Sequence, residues 1–136
     1  MSPGFDLQGF LATEVGRVDA APDRALGRHA LAGLDPADRA AVEHGVRSGG
    51  KRLRPILCVQ AWAAAEGGDP AETPGAYDLG VSLELIHAYS LMHDDLPCMD
   101  DADLRRGEPT THRVHGVEAT MRGGLALIPL AAGQAL

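Results

Sequence analysis

The longest apolar stretch of the sequence constrains the fold most strongly. A helical pattern begins near Thr73-Pro74 and extends to about Leu96, a length of roughly 30 Å. Its apolar side chains occupy one face and turn around much of the circumference, and a helix of this kind packs inside a bundle. The one face carries Leu79, Leu83, Ile86, Ser90 and His93, and Val81, Leu85, Tyr89 and Met92 turn around it. The pattern predicts an all-α fold.

Composition supports this prediction and limits the partners. Hydrophobic residues make up 45% of the 136 residues, but aromatic residues only 4%, which favours helix packing over a β-sandwich. A chain of this length forms at most one domain. The net charge of −7 argues against general binding of nucleic acid or of an anionic membrane.

The sequence carries no sign of export. Cys58 and Cys98 are too few for a disulfide scaffold or a zinc cluster. The first 18 residues lack the basic start and apolar run of a signal peptide, and no stretch approaches the roughly 20 apolar residues that span a bilayer. We therefore expect a soluble, cytoplasmic protein without a membrane span.

Shorter helices are predicted on both sides of the long one. Asp35-Pro36 is typical of a helix start, and Ser48-Gly49-Gly50 is typical of a helix end. The tail from Gly123 to Leu136 has no charged residue and resembles the start of another core helix. The predicted pieces are a helix over 5–18 interrupted by Pro22, a weaker one over 25–34, and helices over 37–47, over 56–66 and from about Val117.

An acidic cluster follows the long helix, between Asp94 and Gly107. Five carboxylates fall within ten residues, and Arg105 and Arg106 come directly after them. Crowded carboxylates require a compensating cation, and Mg²⁺ prefers such oxygen ligands while taking others from water and phosphate. Guanidinium groups match phosphate oxygens. The cluster is therefore typical of a diphosphate site that binds Mg²⁺.

Other interpretations of this cluster are open at this point. Most acidic runs are solvated surfaces. An EF-hand is a poor match, because the alternating ligands, central glycine and closing glutamate are absent. His93-Asp94 could belong to a metal-dependent phosphohydrolase with His87 as a second ligand, but no aspartate follows Asp103 to complete that site.

A basic segment, Gly49-Gly50-Lys51-Arg52-Leu53-Arg54-Pro55, precedes the long helix. Its glycines allow the backbone to approach a ligand closely, and three cations follow within four residues. By itself the segment could equally be a helix C-cap and an ordinary basic turn. Likewise, His87 and His93 could be core histidines.

Together the motifs resemble a known family. Four motifs occur in the order and spacing that resemble the trans-isoprenyl diphosphate synthases, or polyprenyl synthetases. They are the basic segment, Leu-Ile-His-Ala-Tyr-Ser, Leu-Met-His-Asp-Asp-Leu-Pro-Cys-Met-Asp-Asp-Ala-Asp-Leu-Arg-Arg-Gly, and Pro-Thr-Thr-His-Arg-Val. The chain most closely resembles bacterial farnesyl or geranylgeranyl diphosphate synthase. The resemblance extends from about Asp38 to Thr120, and it implies one polyprenyl synthetase domain over residues 1–136 with the first half of the isoprenoid-synthase bundle.

The resemblance also implies roles for individual residues. Asp94 and Asp100 would bind Mg²⁺ with support from Asp95, and Arg105 would hold the allylic diphosphate. The diphosphate of isopentenyl diphosphate would be held by Gly50, Lys51, Arg54, His87 and Arg106. Tyr89, with Ser90, would limit product length, and the tyrosine favours a farnesyl-length product. Ordinary core packing is the alternative role of Tyr89.

The sequence departs from the family in two places. The second aspartate-rich motif of the family is absent, and Arg122-Gly123-Gly124 stands where the family tends to have Ala-Gly-Asp. Two interpretations follow: a prenyltransferase completed by a second half, or a non-catalytic partner of a full-length synthase. Either predicts exposed apolar surface and a homodimer or a pair with another synthase chain. Terpene cyclases share the acidic motif but not the basic segment.

Overall fold

The computed structural model describes residues 4–27 and 31–136, which fold as a helical bundle. The elements are α1 (Leu7–Ala25), α2 (Pro36–Arg47), α3 (Leu53–Glu66), a 3₁₀ turn (Pro70–Glu72), α4 (Pro74–Asp94), β1 (Leu104–Arg105), β2 (Glu108–Pro109), α5 (Thr111–His115) and α6 (Val117–Gln134). The predicted all-α class is confirmed, with one two-residue hairpin as the only sheet in the described residues.

Helix α4 is the centre of the bundle and contacts α1, α2, α3 and α6. Its buried face carries Val81, Leu85 and Met92, which are 2% exposed or less. Its opposite face is open, because Leu79, Leu83 and Ile86 are 40%, 43% and 41% exposed. The predicted long apolar helix is therefore confirmed. One of its faces is buried in the bundle, and the other presents the exposed apolar surface that the sequence predicts.

The predictions for the first 34 residues are wrong at two points. Helix α1 continues past Pro22, since Val18 and Ala21 anchor it in the core and packing outweighs the hydrogen bond that proline cannot make. Residues 31–34, within the weaker piece predicted over 25–34, form turns, and residues 28–30 of that piece lie outside the described residues.

Helix α3 begins at Leu53, three residues earlier than predicted, because Pro55 is tolerated in a first turn. The predicted final core helix is confirmed as α6. It continues through the exposed Pro129, with Leu127 and Ala131 buried on either side. None of the helices in the described part of the chain is long and apolar enough to cross a membrane.

Candidate functional site

The basic segment, α4 and the hairpin enclose one cavity of about 420 Å³. Lys51 and Arg54 reach it from the segment and the start of α3, His87 from α4, and Arg106 from the hairpin. The five residues expected to hold one diphosphate therefore line the same cavity, with Gly50 among them. Arg52, Leu53 and Glu84 complete the lining.

The backbone of the basic segment brings Arg106 against Gly50. A Cβ atom at Gly50 would lie 2.7 Å from Arg106 Nη1, so only glycine leaves the guanidinium in place. Gly49 and Arg52 both have left-handed backbone, with φ of 74° and 50°. The left-handed conformation costs a non-glycine residue about 1–2 kcal/mol, so contacts of the Arg52 side chain must compensate for it.

Arg52 makes those contacts inside the protein. Its Nε donates to Asp19 Oδ1 and its Nη1 to Glu84 Oε1, both at 2.7 Å, and its Nη2 donates to the Val46 carbonyl at 3.3 Å. Burial opposes its charge, but the hydrogen bonds to Asp19 and Glu84 raise the pKa of Arg52 above its ordinary value. The sequence prediction assigned no role to Arg52, Asp19 or Glu84. The position of Glu84, three residues before His87, is the signal that could have indicated its place beside the cavity.

His87 is a neutral ring that lies near the cations Arg54 and Arg106. Burial lowers its pKa from the ordinary 6.5, and the nearby Arg54 lowers it further, whereas Glu84 acts in the opposite direction. The ring is therefore uncharged near pH 7. A bound anion would favour its protonation.

The acidic cluster, residues 94–103, forms a closed turn at the C-terminal end of α4, the acidic turn. The Asp100 amide donates to the Asp94 carbonyl at 2.8 Å, and the Ala102 amide donates to the Asp95 carbonyl at 3.2 Å. Asp94 is half-buried, Asp100 is exposed and Asp95 is only 4% exposed. The neighbouring aspartates Asp94 and Asp95 thus lie in different surroundings.

Asp95 is bound to Arg105 rather than presented to solvent. Arg105 Nε donates to Asp95 Oδ1 and Oδ2 at 3.0 and 2.9 Å, and Nη2 donates to Oδ1 at 2.6 Å. This hydrogen bonding, with smaller contributions from Asp94 and Asp100, raises the pKa of Arg105. Asp95 therefore fixes Arg105 close to the carboxylates expected to bind metal.

The remaining carboxylates divide into paired and available ones. Arg113 Nη2 lies 3.2 Å from Asp101 Oδ1, and Arg113 Nε lies 2.6 Å from Asp103 Oδ1. The carboxylates of Asp94 and Asp100 form no ion pair with any described residue. The described residues contain no group of three His, Cys, Asp or Glu side chains that could hold a metal ion. Two carboxylates suit Mg²⁺, which keeps waters and binds substrate phosphate.

A tight hairpin connects the acidic turn with the basic cavity. Arg105 pairs with Glu108, and Arg106 and Gly107 form a two-residue turn with φ of 58° and 87°, as in a type I′ turn. The chain leaves the hairpin directly into the next helix, since Thr111 already begins α5. Through the hairpin, Arg105 contacts Asp95 while Arg106 lies against Gly50.

Tyr89 and Ser90 do not line the basic cavity. The Tyr89 ring packs at the edge of the core and on His93, with ring centroids 4.6 Å apart. Ser90 Oγ donates to the His87 carbonyl at 2.9 Å. Their effect on product length stays a prediction.

Gly124, within the Arg122-Gly123-Gly124 segment, lies directly against the His93 ring. A Cβ atom there would lie 2.5 Å from His93 Cε1 and 2.8 Å from Nδ1. The His93 ring is held by Tyr89, whose carbonyl lies 3.2 Å from Nδ1. Any side chain at position 124 would displace this histidine, which agrees with a packing role for His93.

Comparisons with known proteins match the same region. Residues 36–133 match the family model of polyprenyl synthetase. The chain is 49% identical to geranylgeranyl pyrophosphate synthase 12 of Arabidopsis thaliana over 102 residues, which are 72% of this chain and 27% of that protein. It is 38% identical to a heterodimeric geranylgeranyl pyrophosphate synthase large subunit of the same plant over 127 residues, which are 93% of this chain and 32% of that protein.

The fold matches solved prenyltransferase structures. The geranyltranstransferase of Thermotoga maritima superposes with a TM-score of 0.68 at 34% identity, over 88% of this chain and 44% of that one. The chain thus spans less than half of this solved structure and about a quarter to a third of the two curated relatives. Because the family model covers most of the sequence together with both charged motifs, the chain belongs to the polyprenyl synthetase family.

Proposed function

We propose that the chain carries the isopentenyl diphosphate site and the first Mg²⁺-binding motif of a trans-prenyltransferase. The overall reaction joins isopentenyl diphosphate to dimethylallyl or geranyl diphosphate and yields farnesyl or geranylgeranyl diphosphate. The observation that supports it is the basic cavity of Lys51, Arg54, His87 and Arg106, connected by a two-residue turn to Arg105 and the acidic turn.

In this proposal each cluster holds one diphosphate. The basic cavity holds isopentenyl diphosphate through Lys51, Arg54, His87 and Arg106. Arg105, whose Nε and Nη2 are held by Asp95, holds the allylic diphosphate. The allylic C–O bond breaks with its electron pair leaving on diphosphate, the isopentenyl double bond forms the new C–C bond, and a proton is lost. Arg105 stabilises the charge that develops on the leaving group.

Asp94 and Asp100 would hold Mg²⁺, with other ligands from water and diphosphate oxygens. When bound, Mg²⁺ supplies further neutralisation of the departing diphosphate. Once a further chain or segment covers the open apolar face of α4, apolar surroundings would keep water away from the allylic cation. A farnesyl-length product, limited by Tyr89, and a cytoplasmic location are further parts of this proposal.

A second candidate function is a non-catalytic partner subunit. The match to a protein named as a heterodimeric large subunit and the exposed apolar residues of α4 favour pairing with another synthase chain. A homodimer would cover the same surface.

The experiment is a Mg²⁺-dependent condensation assay with isopentenyl diphosphate and dimethylallyl or geranyl diphosphate. The purified chain is compared with an Asp94→Ala, Asp100→Ala variant. Product that disappears in the variant supports catalysis by this chain. Diphosphate binding without product favours the partner-subunit function, and the absence of both contradicts the proposal.

A further inference from the structure

Arg52 connects the basic segment to three helices at once. Its guanidinium binds Asp19 of α1, Glu84 of α4 and the Val46 carbonyl of α2. The Arg52 side chain is only 8% exposed, whereas Lys51 and Arg54 are exposed. Each of its three nitrogens thus has a protein acceptor, although Arg52 borders the cavity.

The pair with Glu84 solves an electrostatic problem of this cavity. Glu84 is 6% exposed and lines the cavity proposed to bind a diphosphate. An unpaired buried carboxylate there would repel the anion and carry a desolvation cost. Arg52 neutralises it and fixes the basic segment one helical turn from His87.

Asp19 extends this attachment to a helix outside the family match. Helix α1 ends at Ala25, before the first matched residue, 36. Nevertheless Asp19 Oδ1 receives a 2.7 Å hydrogen bond from Arg52, and its side chain is half exposed. A change at Asp19 therefore alters the hold on the basic segment without touching the cavity.

We propose that Arg52 is a positioning residue that, held by Asp19 and Glu84, keeps Lys51 and Arg54 directed into the cavity. The inference deepens the proposed function and rests on it for the identity of the anion. Arg52 does not bind the diphosphate; it determines where its two neighbours present their charges.

The test uses Asp19→Asn and Arg52→Lys in the full chain. Asp6→Asn, which removes the same charge next to the other end of α1, is the control. One readout is the affinity for isopentenyl diphosphate without metal, measured by calorimetry. The other is the pKa of His87 from its ring-proton NMR signal in the ligand-free protein, which responds to burial of the ring, to the position of Arg54, and also to Glu84, Arg106 and Arg105.

Asp19→Asn should weaken binding about twofold to fivefold, as expected for a half-exposed ion pair, and Asp6→Asn should not. Arg52→Lys keeps the charge but loses the planar fork that reaches two carboxylates, so it should weaken binding at least as much. In both variants Arg54 moves away, and the pKa of His87 should rise toward its ordinary value.

Several results would overturn the inference. If Arg52 contacted the diphosphate directly, Asp19→Asn would free its guanidinium, and binding would be unchanged or tighter. Wild-type affinity in Arg52→Lys would indicate that charge alone suffices. An unaltered His87 titration in Asp19→Asn also contradicts positioning.

If wild type binds no isopentenyl diphosphate, the proposed function fails, and the His87 titration still decides about positioning. If Arg52→Lys does not fold, Asp19→Asn decides by itself.

Discussion

Individual aspartates of the acidic turn differ in their surroundings, and this difference determines what each can do. Asp95 is buried and bound through three hydrogen bonds to Arg105, whereas the carboxylates of Asp94 and Asp100 have no ion-pair partner among the described residues. A carboxylate committed to a guanidinium is a poor metal ligand. Removing one or the other should therefore produce different defects.

Asp95→Asn should lower the free energy of unfolding by about 1–2 kcal/mol, because it weakens a pair whose arginine is partly exposed. Asp94→Asn should change stability by less than about 0.5 kcal/mol but weaken Mg²⁺-dependent binding of pyrophosphate. Urea unfolding and calorimetric titration measure the two effects. Equal stability losses in both variants would contradict this division of roles.

His87 should make diphosphate binding depend on pH. Burial and Arg54 lower its pKa below 6.5, and a bound anion would raise it again. Affinity should therefore increase as the pH falls from 7.5 to 5.5 by more in wild type than in His87→Gln; the variant also corrects for protonation of the ligand. Calorimetry at several pH values is the measurement, and parallel pH profiles would exclude this role.

The same shift has the opposite consequence for stability. Because the folded ring resists protonation, the unfolded chain binds more protons below pH 6.5. The contribution of His87 to the free energy of unfolding is thus fully present above its ordinary pKa of 6.5. It is lost as the pH falls from 6.5 to the lower pKa of the folded ring.

Helix packing depends on glycines at particular contacts. In α6, a Cβ atom at Gly124 would meet the His93 ring, whereas one at Gly133 would meet nothing within 4 Å. Gly124→Ala should therefore destabilise the protein by about 1–3 kcal/mol through overpacking, despite the better helix propensity of alanine.

Gly133→Ala is the matched control in the same helix and should be neutral or stabilising by up to about 1 kcal/mol. Thermal unfolding followed by circular dichroism compares the two variants. If both variants were stabilised alike, the α4–α6 contact at His93 would be looser than described.

The helices also show which elements could be predicted from the sequence. Helix α4 follows from its apolar pattern and flanking prolines, and the two charged motifs identify the cavity and the acidic turn. The course of α1 past Pro22 could not be predicted, since it depends on burial of Val18 and Ala21 by distant helices. The role of Arg52 could not be predicted either. In the sequence it is one of three cations in the basic segment, and its contacts with three helices depend on the fold.

The molecule as a whole leaves apolar side chains in contact with solvent. Leu83 of α4 and Leu125 of α6 are 43% and 51% exposed, and similar side chains lie near them in sequence. Apolar patches of this kind mark surfaces that associate with other chains.

We therefore expect concentration-dependent self-association, which sedimentation velocity would detect. Leu125→Gln should reduce association with little change in thermal stability. Leu127→Gln, two residues along the same helix, should unfold the protein because Leu127 is fully buried. A monomer at all concentrations would contradict this expectation.

The two-residue turn at Arg106-Gly107 joins the acidic turn to the basic cavity, and we expect binding at the two clusters to be thermodynamically coupled. Consecutive residues, Arg105 and Arg106, serve the two clusters, so a shift of the hairpin backbone would move both side chains. Occupation of one cluster should change the affinity of the other, and by linkage the factor must be the same in both directions. Binding of the two diphosphates would then be cooperative through a local shift of the hairpin, without any rearrangement of domains.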